Sequence, residues 1–184
     1  MFNESKTTQA AAKLLKDAGA PMNFMVLMKM LYLADRVGFM KRGRPITNDT
    51  YYAMFLGPVL SSTHDIATEQ QPPEEDHFWP RFISPRENYK VRLIADPGES
   101  ELSEAETKIL DAIFERFKGY LDDPFGLPDW MHKNLSEVRE VPRGERIDLP
   151  ILEVLEGTKK TEAEIATLMY EMEMLDQVDA LFTA

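Results

Sequence analysis

The run from Pro21 to Met40, PMNFMVLMKMLYLADRVGFM, constrains the fold of this chain more than any other segment. Read as a helix from Asn23 to about Met40, it places Phe24, Leu27, Met28, Leu31, Tyr32 and Ala34 around most of the circumference, so it must be packed on several sides. A bilayer span is the poorer reading, because Lys29, Asp35 and Arg36 interrupt the segment and charges are costly at the centre of a membrane. The helix is therefore expected at the centre of a domain.

Its neighbours follow from local signals. Ala11, Leu14, Leu15 and Ala18 have helical spacing over residues 6 to 18, and Gly19 and Pro21 end that helix before the central one starts. Beyond Met40, Gly43 and Pro45 break the pattern, and Asn48-Asp49 supplies a turn. TYYAMFLG then predicts a strand, and Pro58 is expected at the first position of a short helix, PVLSSTHDIATE. Gln70 to Asp76 reads as a polar loop, and Trp79–Ile83 with Tyr89–Ala95 as a hairpin about SPREN. Ser103-Glu104-Ala105-Glu106 is a capping box that opens a helix through Ile109, Ile113, Phe117 and Tyr120. A further short helix is expected from Asp129 to Val138, closed by Pro142 and Gly144. A second capping box, Thr161 to Glu164, opens a terminal amphipathic helix with Ile165, Leu168, Met172, Leu175 and Phe182 near one stripe. One domain is expected over 1–148, followed by an acidic helical extension over 149–184.

Charge and composition narrow the function. With 21 basic and 32 acidic residues the net charge is -11, which repels phosphate backbones and favours a basic partner over nucleic acid. Much of the excess lies in the extension, an acidic helix whose stripe with Met169, Met172 and Met174 offers three roles: docking on a basic partner, self-association as a homodimer, or folding back on the core. The absence of cysteine rules out disulfides, thiolate nucleophiles and Cys-ligated zinc and suits a reducing cytoplasm. The N-terminus carries no basic and apolar run of the secretory type, so no export is expected.

Chemistry-bearing patterns are missing. The glycines form no phosphate cradle, and His64, His77 and His132 have no metal-ligand spacing, so neither a cofactor nor a metal is expected. No nucleophile motif is present either, which points away from an enzyme. Lys41-Arg42-Gly43-Arg44-Pro45 resembles a minor-groove hook, but it lies between two predicted elements in an acidic chain. A helix-to-strand connector is the better reading.

The segments LMKMLYLAD, GRPIT and YYAMFLGPV, in this order and spacing, resemble the Panacea domain, the SocA-like antitoxin domain of bacteria and their phages. The similarity extends through LSEAETKILDAIFERF and the helix carrying His132, over roughly residues 10 to 140. Where that family often has a tryptophan shortly after the His, this chain has Val138.

The resemblance implies an α+β fold, mostly helical, with a small antiparallel β-sheet, here extended by the amphipathic C-terminal helix. It also implies an antitoxin that neutralises a cognate protein toxin by direct contact, without catalysis. The alternatives are an adaptor that delivers a toxin to a cytoplasmic protease, or a DNA-associated regulator of its own operon. Candidate partner-binding residues near the motifs are Tyr32, Asp35, Arg36, Arg44, Tyr52 and His132, with Gly43, Pro45, Gly57 and Pro58 setting the shape. Asp35 is expected either to pair with Arg44 and fix the connector, or to join a charged patch that meets the toxin.

Overall fold

A computed structural model describes residues 2–68 and 77–183; the predicted loop Gln70 to Asp76 lies outside the described residues. The side chain of Asp176 and those from 178 onward, including Phe182, lie outside the description too. The first helix, α1 (Glu4–Ala18), begins where the Asn3 side chain accepts from the Lys6 amide and ends at Gly19 with φ of 62°. The central helix, α2 (Phe24–Arg42), is capped by Asn23 and stopped by Gly43 at φ 74°. Every residue from Val26 to Asp35 is buried. Among the described elements, α1, α4 (Glu104–Phe117), α5 (Gly126–Asn134), α6 (Ile151–Glu156), and the strands β1 (Met22–Asn23) and β3 (Val59–Leu60) pack against it.

Among the described residues, two small antiparallel sheets complete the α+β fold. In the larger, β2 (Tyr51–Met54) lies between β3 and β5 (Arg146–Leu149), with Tyr51 opposite both Leu60 and Leu149. In the smaller, β1 pairs with β4 (Lys90–Val91). The short helix α3 (Ser61–Thr68) follows β3 directly. Leu149, Val154, Leu155 and Ile165 join the same core as the central helix.

Three expectations need correction. Pro58 does not open a helix: Gly57, at φ 88°, donates its amide to the Met54 carbonyl, and this tight turn sends Val59 and Leu60 back along Tyr52 and Tyr51 before α3 begins. Pairing with an existing strand outweighs the preference of proline for a helix start. The expected hairpin is reduced to isolated bridges, Ile83 with Leu93 and Glu87 with Lys90, because Trp79–Arg81 forms a 3₁₀ turn and β4 pairs with β1 instead. Finally, α5 begins three residues early: the Asp123 carboxylate accepts the Phe125 and Gly126 amides and starts the helix, and the extended Leu135 ends it.

Both predicted capping boxes are present. Ser103 and Glu106 bond reciprocally at the start of α4, and Thr161 and Glu164 do so at the start of α7 (Glu162–Thr183). The first turns of α7 lie against the core through Ile165, Leu168 and Met172. Leu168 sits on the central turn, where a Cβ added at Gly43 would be 2.6 Å from Leu168 Cδ2. Gly43→Ala is therefore expected to cost about 1–2 kcal/mol through positive-φ strain and displacement of Leu168. A urea unfolding curve checks this, and pairing the substitution with Leu168→Ala should return only the steric part.

Candidate functional site

Several motif residues of α2 form buried polar nodes, and the first of them holds the central turn. Asp35 is completely buried and accepts four hydrogen bonds: from the Ile46 amide (2.8 Å), the Thr47 amide (3.0 Å), the Thr47 hydroxyl and the Tyr51 hydroxyl (3.0 Å). Burial raises its pKa to about 6, against the lowering effect of those donors. Arg44 is exposed and is not its partner, so the expected Asp35–Arg44 pair is corrected. Two backbone amides and two hydroxyls complete the carboxylate's shell. Asp35, two turns before the end of α2, thus reaches back over Pro45-Ile46-Thr47, and its carboxylate substitutes for the ladder partners that a turn lacks.

One turn earlier and at the next position, Tyr32 and Arg36 reach a residue absent from the candidates, Glu137. The Tyr32 hydroxyl donates to Glu137 Oε1 at 3.1 Å and Arg36 Nε at 2.6 Å, and Arg36 Nη2 also donates to the Gly157 carbonyl. The Glu137 side chain is fully inaccessible. A Cβ at Gly157 would lie 2.2 Å from Glu137 Oε2, so a larger residue there would displace the carboxylate that Tyr32 and Arg36 hold. The two nodes touch through the rings of Tyr32 and Tyr51, edge to face at 5.4 Å.

The basic turn is tied down in the same way. Arg42 Nη1 meets Glu106 at 2.7 Å, and Lys6 meets the same carboxylate at 2.8 Å, joining α1, α2 and α4. Burial would raise the pKa of Glu106, but hydrogen bonds from Lys6, Ser103 and Arg42 outweigh it and bring it to about 2. The stability this group supplies is present above its ordinary pKa near 4.5 and is lost as pH falls toward 2. Arg42→Ala is expected to cost about 1–3 kcal/mol, measured by thermal unfolding at pH 7. The turn is a left-handed helix cap covered by Leu168 rather than an extended arm, and Arg42 is committed to an intramolecular ion pair.

Lys29 is the second fully buried charge of α2. Its Nζ donates to the carbonyls of Gly57 (2.7 Å) and Pro58 (2.8 Å), and burial holds its pKa well below the usual lysine range. Gly57 and Pro58 thus present carbonyls to the amine as well as turning the strand. A Cβ at Gly57 would lie 3.8–4.0 Å from Val138, Lys29 Nζ and His132 Nε2, which brings His132 to this turn. Above it the surface is aromatic and cationic: Arg146 stacks on Tyr52 at 4.6 Å and reaches Asp65, and Arg143 stacks on the exposed Phe55 at 4.6 Å.

The candidate residues therefore divide into two groups. Tyr32 and Asp35 are buried and Arg36 is mostly covered, so these three face the interior. Arg44 and His132 are exposed, and Tyr52 is partly exposed. The other histidines have local partners, His64 with Asp65 and His77 with Glu4.

This architecture defines a mostly helical α+β domain organised around one buried helix whose Asp35 secures a Gly-x-Pro-Ile-Thr turn and whose Tyr32 and Arg36 hold Glu137. A family model described as antitoxin SocA-like, Panacea domain, matches residues 27–135, which include most of α2, the turn and β2, and the chain belongs to this family. Membership gives it a toxin–antitoxin-related role and, in general terms, a toxin as partner. No curated protein and no solved structure matches the chain.

Proposed function

We propose that this protein is an antitoxin that neutralises a cognate protein toxin by direct binding, without catalysis, in the cytoplasm. The observation that carries this reading is family membership over residues 27–135. The exposed aromatic and cationic surface around Tyr52 and Phe55 supports it, since aromatic side chains and arginine are the groups that most often dominate protein interfaces. Arg44, Tyr52 and His132 are its contact residues, joined by Phe55, Arg143 and Arg146. Tyr32, Asp35 and Arg36 act indirectly, by holding the surface in one shape before the toxin arrives.

Co-expression with the product of the adjacent gene tests the reading. Growth is expected to be restored while the toxin remains abundant and co-purifies with this chain. Persistent arrest with no complex would overturn neutralisation, and restored growth with loss of the toxin protein would favour delivery to a protease. Replacing both Tyr52 and Phe55 by Ala is expected to weaken the complex at least tenfold, read by titration calorimetry.

A further inference from the structure

The exterior of α7 carries a second ordered pattern. Ile165, Leu168 and Met172 turn inward, whereas Ala163, Thr167, Tyr170 and Met174, at spacings i, i+4, i+7 and i+11, lie along the opposite side and are exposed. Tyr170 is 63% exposed and Met174 41%, so among the described residues nothing covers this stripe. Carboxylates border it on both sides, Glu164 and Glu171 along one edge and Glu162 and Glu173 along the other. Glu164 and Glu171 also line an open groove with Ala163, Thr167, Leu168 and Lys160. From Glu162 to Thr183 the helix contains no lysine or arginine.

We infer that the outward face of α7 is a docking helix for a cationic, apolar-lined groove on the toxin, with Tyr170 and Met174 as anchors and the flanking carboxylates meeting lysine or arginine. This rests on the neutralisation reading and adds a second contact to the surface around Tyr52. The pattern is that of an amphipathic helix received in a groove, where apolar residues one turn apart give affinity and charge sets orientation. A second copy of the chain is a poor occupant. Two such faces would bring four rows of carboxylates together with no cation on either helix to offset them.

The full-length chain and the adjacent-gene toxin provide the test, with affinity measured by calorimetry at two salt concentrations. Tyr170→Ala with Met174→Ala is expected to weaken binding at least about tenfold, while circular dichroism and Tm stay unchanged because both side chains are exposed. Glu171→Lys with Glu173→Lys should weaken it comparably and remove most of the salt dependence. Wild-type binding with both double variants within twofold would overturn the docking helix and leave neutralisation standing. A wild-type chain that neither binds nor protects would overturn both. Sedimentation supplies the remaining arm: a wild-type dimer made monomeric by Tyr170→Ala with Met174→Ala would assign the face to a second copy and sink the proposal.

Discussion

Asp35→Ala is expected to destabilise the protein by about 3–5 kcal/mol, the largest effect of any single polar substitution here. The carboxylate is fully buried, and its loss orphans the amides of Ile46 and Thr47 and the hydroxyls of Thr47 and Tyr51, where water has no access to replace it. Asp35→Asn should be far milder. Its oxygen can accept the two amides, while its NH₂ donates to the two hydroxyl oxygens. The pair of variants also separates packing from charge. With a folded pKa of about 6 against 3.8 for the unfolded chain, the folded state binds the extra proton. The stability from this group is thus complete below pH 3.8 and is lost as pH rises through 6, about 3 kcal/mol in all. The difference in stability between the wild type and Asp35→Asn should therefore change between pH 4 and 6 and be flat above pH 7. Urea titrations across that range decide it, and a constant difference would mean that Asp35 is not the titrating group.

Glu137→Ala is expected to cost about 3–4 kcal/mol, because it strands the Arg36 guanidinium and the Tyr32 hydroxyl in a largely dry site. Removing one partner of a buried pair is worse than removing both, so Arg36→Met in the Glu137→Ala background should add much less than Arg36→Met adds alone. A double-mutant cycle by urea unfolding measures that coupling. Arg36 also bonds the Gly157 carbonyl between α6 and α7, so loss of Glu137 should speed amide exchange in α6 and the first turns of α7. Additive effects in the cycle would show that the three groups do not act as a unit.

How far the sequence led can be seen at these same residues. The all-round apolar character of α2 was readable because burial on every side leaves no polar stripe, and the capping boxes at Ser103 and Thr161 were readable because both partners lie within one turn. The family resemblance drawn from LYLAD, GRPIT and YYAMFLGPV agrees with the match over residues 27–135. Partner identity across long separations was a different matter. Asp35 bonds two backbone amides, which leave no trace in side-chain identity, so charge alone leaves Arg44 and a partner's surface equally open as its counterpart. Glu137 lies 105 residues from Tyr32, on a segment whose local pattern suggested only a helix end. A lone lysine inside an apolar helix was the one available signal for Lys29, yet its partners are the carbonyls of Gly57 and Pro58. Glu106 was legible as a cap but not as the anchor of Lys6 and Arg42, because one carboxylate serves both roles. Pro58 misled because two residues of strand pairing are too short to leave a period.

The most direct test of toxin neutralisation is a titration of the purified toxin encoded by the adjacent gene with the purified full-length chain, in the absence of protease and nucleic acid, reading the toxin's own activity. Direct neutralisation predicts that activity falls to its floor at a fixed molar ratio and that the toxin is recovered intact in the complex. Undiminished activity at a large excess of this protein would contradict it.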